Sequence, residues 1–324
     1  MSRKIVVMDQ LLTMTSLRAL QEKSGNWSAD LMLPQAQKLS RYLRTLEEAK
    51  YSFRIGVIHT YTSDLLNPWL EFYAAVKGID LSVYHAPYGM NLMEAQSDSG
   101  LVKHKPDLTL FMLQKEDLHP ELSKPITHLN DEQRQQLCYQ SVQRLVAILE
   151  QFRQTVSGRF LITILPSVFK PGLGLYDAQS EHSESAWWAL FKIEVAKQLG
   201  NKLESAILMD LDEILLQIGR NNFFDLRYWY TSRFPFKPQA ANEFSRRILD
   251  LVSVEVTAKA KVIVLDADNT LWGGIVGEEG IHGIKLGPEY PGNAFIDFQR
   301  RILDYQERGF ILFLLHKANI KPLS

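Results

Sequence analysis

Lys261-Val-Ile-Val-Leu-Asp266-Ala-Asp268-Asn-Thr270-Leu-Trp-Gly273-Gly274 is the stretch on which the reading of this chain turns. Val262, Ile263, Val264 and Leu265 form an apolar, largely β-branched run that reads as a buried strand. The run ends at two carboxylates one residue apart, then a hydroxyl and a pair of glycines. At the carboxyl end of a parallel strand, that combination suits a phosphate. One Asp can attack phosphorus and become an aspartyl-phosphate. Its oxygen, helped by the residue at the second Asp, can hold a Mg²⁺ that offsets the negative charge. The second Asp can protonate the leaving oxygen and then activate water. A bare Asp-x-Asp-x-Thr also fits a plain strand end, because Asp forms turns and caps helices.

Outward from this stretch, the composition is that of a globular chain. The 324 residues favour two domains, and 46% hydrophobic residues supply ample core. A formal net charge of −1 leaves no broad basic field for nucleic acid or anionic lipid. The single Cys138 rules out an internal disulfide and fits a reducing, cytoplasmic setting. Apolar runs such as Phe310 to Leu315 are too short to cross a bilayer, and the first residues lack the pattern of an export signal. None of the eight His falls in a metal-binding spacing with Cys or another His.

Residues 1–50 read as a helical lead-in, with Ala36, Leu39, Leu43 and Leu46 on one face. From Phe53 to about 257, strand and helix signals alternate, which implies a mostly parallel sheet covered on both sides. Strands are expected at 54–58, 80–84, 108–113, 160–165 and 206–209. Asn67 with Pro68 is expected to open one helix, and the Asn130/Gln133 capping box a longer one. The glycines after Gly274 are spaced for a small hairpin that would flap over the phosphate site. An amphipathic helix over 293–308 and a strand over 310–315 follow. Asp210-Leu-Asp212 lacks the Thr and glycines of the later motif and reads as a helix cap. Trp187-Trp188 and Tyr228-Trp229-Tyr230 read as core, with a few rings available to line a groove.

Asp266-Ala-Asp268-Asn-Thr270 resembles motif I of the haloacid dehalogenase (HAD) superfamily. The continuation through Trp272-Gly-Gly-Ile-Val-Gly-Glu-Glu-Gly280 and Gly283-Ile-Lys-Leu-Gly287 resembles the narrower FkbH-like subgroup. Residues 51–257 are similar to the SGNH-hydrolase-like domain of those proteins. The landmarks include Ile58-His-Thr-Tyr-Thr62, Ala86-Pro-Tyr88, Met209-Asp-Leu-Asp212, and Phe224-Asp225 before Phe234-Pro-Phe236. The resemblance implies a doubly wound, flavodoxin-like α/β domain followed by the first half of a HAD-like Rossmannoid domain over 258–324.

It further implies a Mg²⁺-dependent phosphatase/acyltransferase. Such an enzyme takes a glyceryl group from a phosphorylated glycerate and loads it on an acyl carrier protein in polyketide-type biosynthesis. Carried over by position, Asp266 is nucleophile and metal ligand, and Asp268 is acid/base and metal contact. Thr270 and Lys317 hold phosphate. FkbH-like proteins usually show Cys-Ser-Lys-Asn where this chain has Leu315-His316-Lys317-Ala318-Asn319, so their thiol has no counterpart. Their later acidic Mg²⁺ ligands have none before Ser324, which reads as a truncated or divergent HAD domain. The first domain lacks a working esterase set, since His59 stands where an SGNH enzyme carries Ser and Tyr228 follows Asp225 in place of His. The alternative to the enzyme is therefore a non-catalytic SGNH-like module that binds a carrier protein or phosphorylated ligand.

Overall fold

The computed structural model describes residues 32–45, 49–89, 92–203, 205–257 and 260–315. The chain divides into two compact units, 1–255 and 256–324. Among the described residues no helix is long and apolar enough to cross a membrane.

The first unit is a five-stranded parallel sheet, β1 (Tyr51–His59), β2 (Ile79–His85), β3 (Leu108–Leu113), β4 (Arg159–Ile164) and β5 (Ala206–Leu208), in the order β2-β1-β3-β4-β5. The expected doubly wound α/β fold is the fold observed. All six residues of β3 are buried, as a central strand covered on both faces requires. Side chains alternate across the sheet. Ile58, Phe111, Leu113, Phe160, Ile162 and Ile164 join one core with α3 (Gly100–His104), α4 (Asp131–Arg153) and α5 (Glu184–Lys202). Helices α1 (Leu33–Arg44), α2 (Asn67–Val76) and α9 (Pro238–Val256) bury their own apolar residues, and Tyr73 of α2 donates to Asn242 of α9 at 2.6 Å. Short helices α6 (Leu211–Ile218), α7 (Arg220–Phe223) and α8 (Leu226–Ser232) lead from β5 to α9.

Several expectations hold at the level of single residues. Asn130 and Gln133 cap α4 reciprocally, and Asp210 caps α6 while pairing with Lys192. Cys138 packs half-buried against the core. Ala36, Leu39 and Leu43 are buried, whereas Leu46 lies outside the described residues. Asn67 departs from its expected role. A short 3₁₀ turn, Asp64–Leu66, precedes α2, so Asn67 is already helical, and its side chain accepts from His85 instead of capping.

The second unit pairs β6 (Val262–Asp266) in parallel with β7 (Ile311–Leu315), with α10 (Val276–Gly283) and α11 (Gly292–Glu307) between them. Leu265, Leu271 and Ile302 form its small core. Val262, Val264, Ile311, Phe313 and Leu315 are exposed. The expected hairpin after Gly274 is helical instead. Only its base is strand-like, where Gly273 and Lys285 exchange backbone hydrogen bonds of 3.1 and 2.7 Å. The stretch between them spans α10, and Gly280 (φ 68°) breaks its last turn.

One close approach fixes how β4 enters the first sheet. A Cβ at Gly158 would lie 2.3 Å from the Pro106 carbonyl oxygen and 2.6 Å from that of Asp107. Both are backbone atoms of the loop before β3 and cannot turn aside. Gly158→Ala is expected to destabilise the protein by roughly 1–3 kcal/mol through overpacking, read as a lower urea midpoint at unchanged slope.

Candidate functional site

The loop after β6 is tied to itself by the residues that make its motif long. Asp266 ends β6 with an exposed side chain, and its Oδ1 accepts from the amide of Ala267 at 2.8 Å. Asp268 is half-buried. Its Oδ1 accepts from the Trp272 indole N–H at 3.1 Å and from the Val276 amide at 3.2 Å. Asn269 takes the left-handed conformation (φ 57°), which Asn tolerates, and its Oδ1 accepts from the Gly274 amide at 2.9 Å. Gly274 itself has φ 97°, and a Cβ there would sit 2.9 Å from Oε1 of Glu279. Gln299 of α11 donates to the Leu271 carbonyl at 2.6 Å and pins the turn from outside. Thr270 lies half-buried in the turn. Trp272, Asn269 and Gly274 thus each have a job in shaping the loop.

Each carboxylate in this loop spends one oxygen on it. Oδ2 of Asp266 and Oδ2 of Asp268 accept no hydrogen bond among the described residues. Two hard oxygens fit a Mg²⁺ that draws its other ligands from water and a substrate phosphate, the usual habit of that ion. They do not form an all-protein cage. Among the described residues no group of three or more His, Cys, Asp or Glu side chains could hold a metal. Lys317, the expected phosphate contact, lies outside the described residues. Leu315 pairs with Asp266 in the sheet register.

In the first unit, winding reverses between β1 and β3, where an open α/β sheet ordinarily leaves a ligand crevice at its carboxyl edge. The protein's own groups fill it. Thr60 Oγ1 donates to Asp117 at 2.5 Å, and the Gln114 side chain donates to the Thr60 carbonyl at 2.8 Å. Buried His59 faces two backbone carbonyls, Tyr61 at 3.1 Å and Ala86 at 2.8 Å. A neutral imidazole has one N–H and can donate to only one of them.

Beside it runs a chain that the sequence did not disclose. Ser63 Oγ lies 2.7 Å from His85 Nδ1, and His85 Nε2 lies 2.8 Å from Asn67 Oδ1. Because Asn67 offers an oxygen, Nε2 carries the proton and Nδ1 accepts from Ser63. The order Ser–His–Asn is that of an acyl-transfer triad, but Ser63 is only 1% exposed. No substrate reaches it, and the chain serves to bind the loop after β1 to the end of β2. Asp225, the late acidic residue of an esterase set, accepts from the Tyr228 amide at 3.0 Å as the cap of α8.

No protein-family model matches this chain, and no curated protein is similar to it in sequence. Its fold is similar to that of the N-terminal part of the protein BF1531 from Bacteroides fragilis, a crystal structure containing a phosphatase domain and complexed with Mg. The TM-score is 0.71 at 18% identity, over 89% of this chain and 74% of that one.

His85 carries a pH dependence. Burial first, and neighbouring His59 second, lower its pKa to about 4, against an opposing pull from Asp64. Between pH 6.5 and about 4 the unfolded chain therefore binds the extra proton and the folded one does not. Stability is expected to fall as pH drops through that window, by at most on the order of 3 kcal/mol. Urea unfolding at pH 7 and pH 4.5 checks this: His85→Gln should flatten the profile, and a slope parallel to the parent's would place the effect elsewhere.

Proposed function

We propose that this chain is an FkbH-like, Mg²⁺-dependent phosphohydrolase working at Asp266 and Asp268. The observation that carries the reading is the pair of carboxylates at the tip of β6, each anchored through one oxygen and open at the other. The fold likeness to a chain with a phosphatase domain supports it. Asp266 Oδ2 attacks phosphorus, the bond to the leaving oxygen breaks, and that oxygen takes a proton from Asp268. Asp268, now a carboxylate, removes a proton from water. The water oxygen then displaces Asp266 from phosphorus, releasing inorganic phosphate and restoring both groups. Mg²⁺ held beside Asp266 and Asp268 would offset the charge of the phosphate and of the attacking carboxylate.

In its finer form the proposal names a phosphorylated glycerate as substrate and an acyl carrier protein as acceptor, supported by the sequence resemblance alone. Leu315, beside Asp266 in the register, offers no thiol for an acyl thioester. The reading therefore keeps phosphate release on this chain and assigns no residue to thioester formation. A second reading, a binding module for a carrier protein, draws on the first unit, where Ser63 is sealed and Asp225 acts as a cap.

Phosphate release from acetyl phosphate separates the two. The full chain with Mg²⁺ is expected to release phosphate, and Asp266→Asn to lower the rate at least about 100-fold. Chelation of Mg²⁺ should abolish it. A rate indifferent to Asp266 would leave only the binding role, to be checked by retention of the chain on an immobilised acyl carrier protein.

A further inference from the structure

The carboxyl edge of the first sheet is filled over β1 and β2, but it opens over β3, β4 and β5. There a cavity of about 340 Å³ lies between the segments that follow those strands and the first turns of α5. At about 30 Å³ per water it has room for roughly ten waters, the bulk of a compact organic molecule. Its body is apolar. Trp187 and Trp188 form one wall, with Trp188 stacked on Phe191 at 5.1 Å between ring centres. Phe169 and Leu216 stand at the mouth, 61% and 80% exposed. A lining of aromatic rings and branched aliphatic side chains suits an aromatic or branched aliphatic body.

The charges around it are unbalanced. The carboxylates in the lining are already engaged: Glu184 accepts from the Gly172 amide at 2.7 Å, and Asp212 receives Lys192 at 2.8 Å. Four basic side chains, Lys115, Lys124, Lys192 and Arg220, stand in the lining against these two carboxylates, and only Lys192 pairs with one of them. Half-buried Arg220 donates to the carbonyls of Ser167 and Val168; Asp212 acts on its charge from nearby without forming an ion pair with it. Lys115, at the end of β3, has no ion pair among the described residues either. Lys124 reaches Glu121 only at 3.9 Å on the exposed surface. An excess of basic over acidic side chains around an apolar cavity favours an anion.

We propose that this cavity is a binding site for a small organic anion, with its flat or branched apolar body against Trp188 and Phe169 and its acidic group towards Lys115 and Arg220. The site lies within the first unit and does not depend on the phosphatase reading.

Matched probes of opposite charge test it. Indole-3-acetate and tryptamine share one ring and differ in the sign of the side chain. Titrated into the full chain and followed by calorimetry, indole-3-acetate is expected to bind saturably at millimolar concentration or below, and tryptamine at least about tenfold more weakly. Lys115→Glu should weaken indole-3-acetate about fivefold or more at unchanged circular dichroism. Ala189→Trp, which fills the mouth from an exposed position on α5, should abolish binding. Equal binding of the two probes, no saturable binding of the acid, or binding that survives Ala189→Trp would overturn the proposal.

Discussion

Where parallel strands end together, the polar groups just beyond their tips converge on one edge, and each must find a partner there. The two units meet that demand in opposite ways. In the first, the loop after β1 folds down into the crevice, where Thr60, Asp117 and Gln114 satisfy one another and Ser63, His85 and Asn67 form a second closed chain. In the second, the loop after β6 satisfies its amides internally and leaves one oxygen of each carboxylate outward. The first solution is stable and closed. The second leaves one oxygen of each carboxylate without a hydrogen bond, which is why the proposed chemistry is assigned to Asp266 and Asp268.

The same contrast explains why a triad-like arrangement of side chains carries no proposal of catalysis here. Ser63, His85 and Asn67 have the order and distances of a nucleophile, base and orienter, with the two ring nitrogens exchanged. Ser63, the would-be nucleophile, is 1% exposed, and burial also holds His85 neutral. Geometry among catalytic types is insufficient without a place for the reacting atom. The open volume lies instead over β3 to β5, where basic side chains outnumber carboxylates in the lining.

Much of the fold was legible because it rests on local pattern. The five strands of the first sheet lie within a residue or three of the expected spans, since each is an apolar run between turn signals. The Asn130/Gln133 box capped α4 as its spacing requires. Asn67 and the stretch after Gly274 were misread for a shared reason. Each local signal was correct in type but outvoted by neighbours: a 3₁₀ turn extended α2 backwards past Asn67, and Glu279, bonded to the Ile275 amide at 3.3 Å, closes the first turn of a helix where glycines alone suggested a hairpin.

By itself the sequence determined the α/β class, the strand that carries Asp266, and the candidate chemistry of Asp266, Asp268 and Thr270, because periodicity and a contiguous motif are properties of neighbours along the chain. Only the tertiary structure decided that Ser63 and His85 meet across 22 positions and that Lys115 and Arg220 line one cavity. Those facts depend on which strand tips the sheet order brings side by side, and nothing in the local spacing of residues encodes that order.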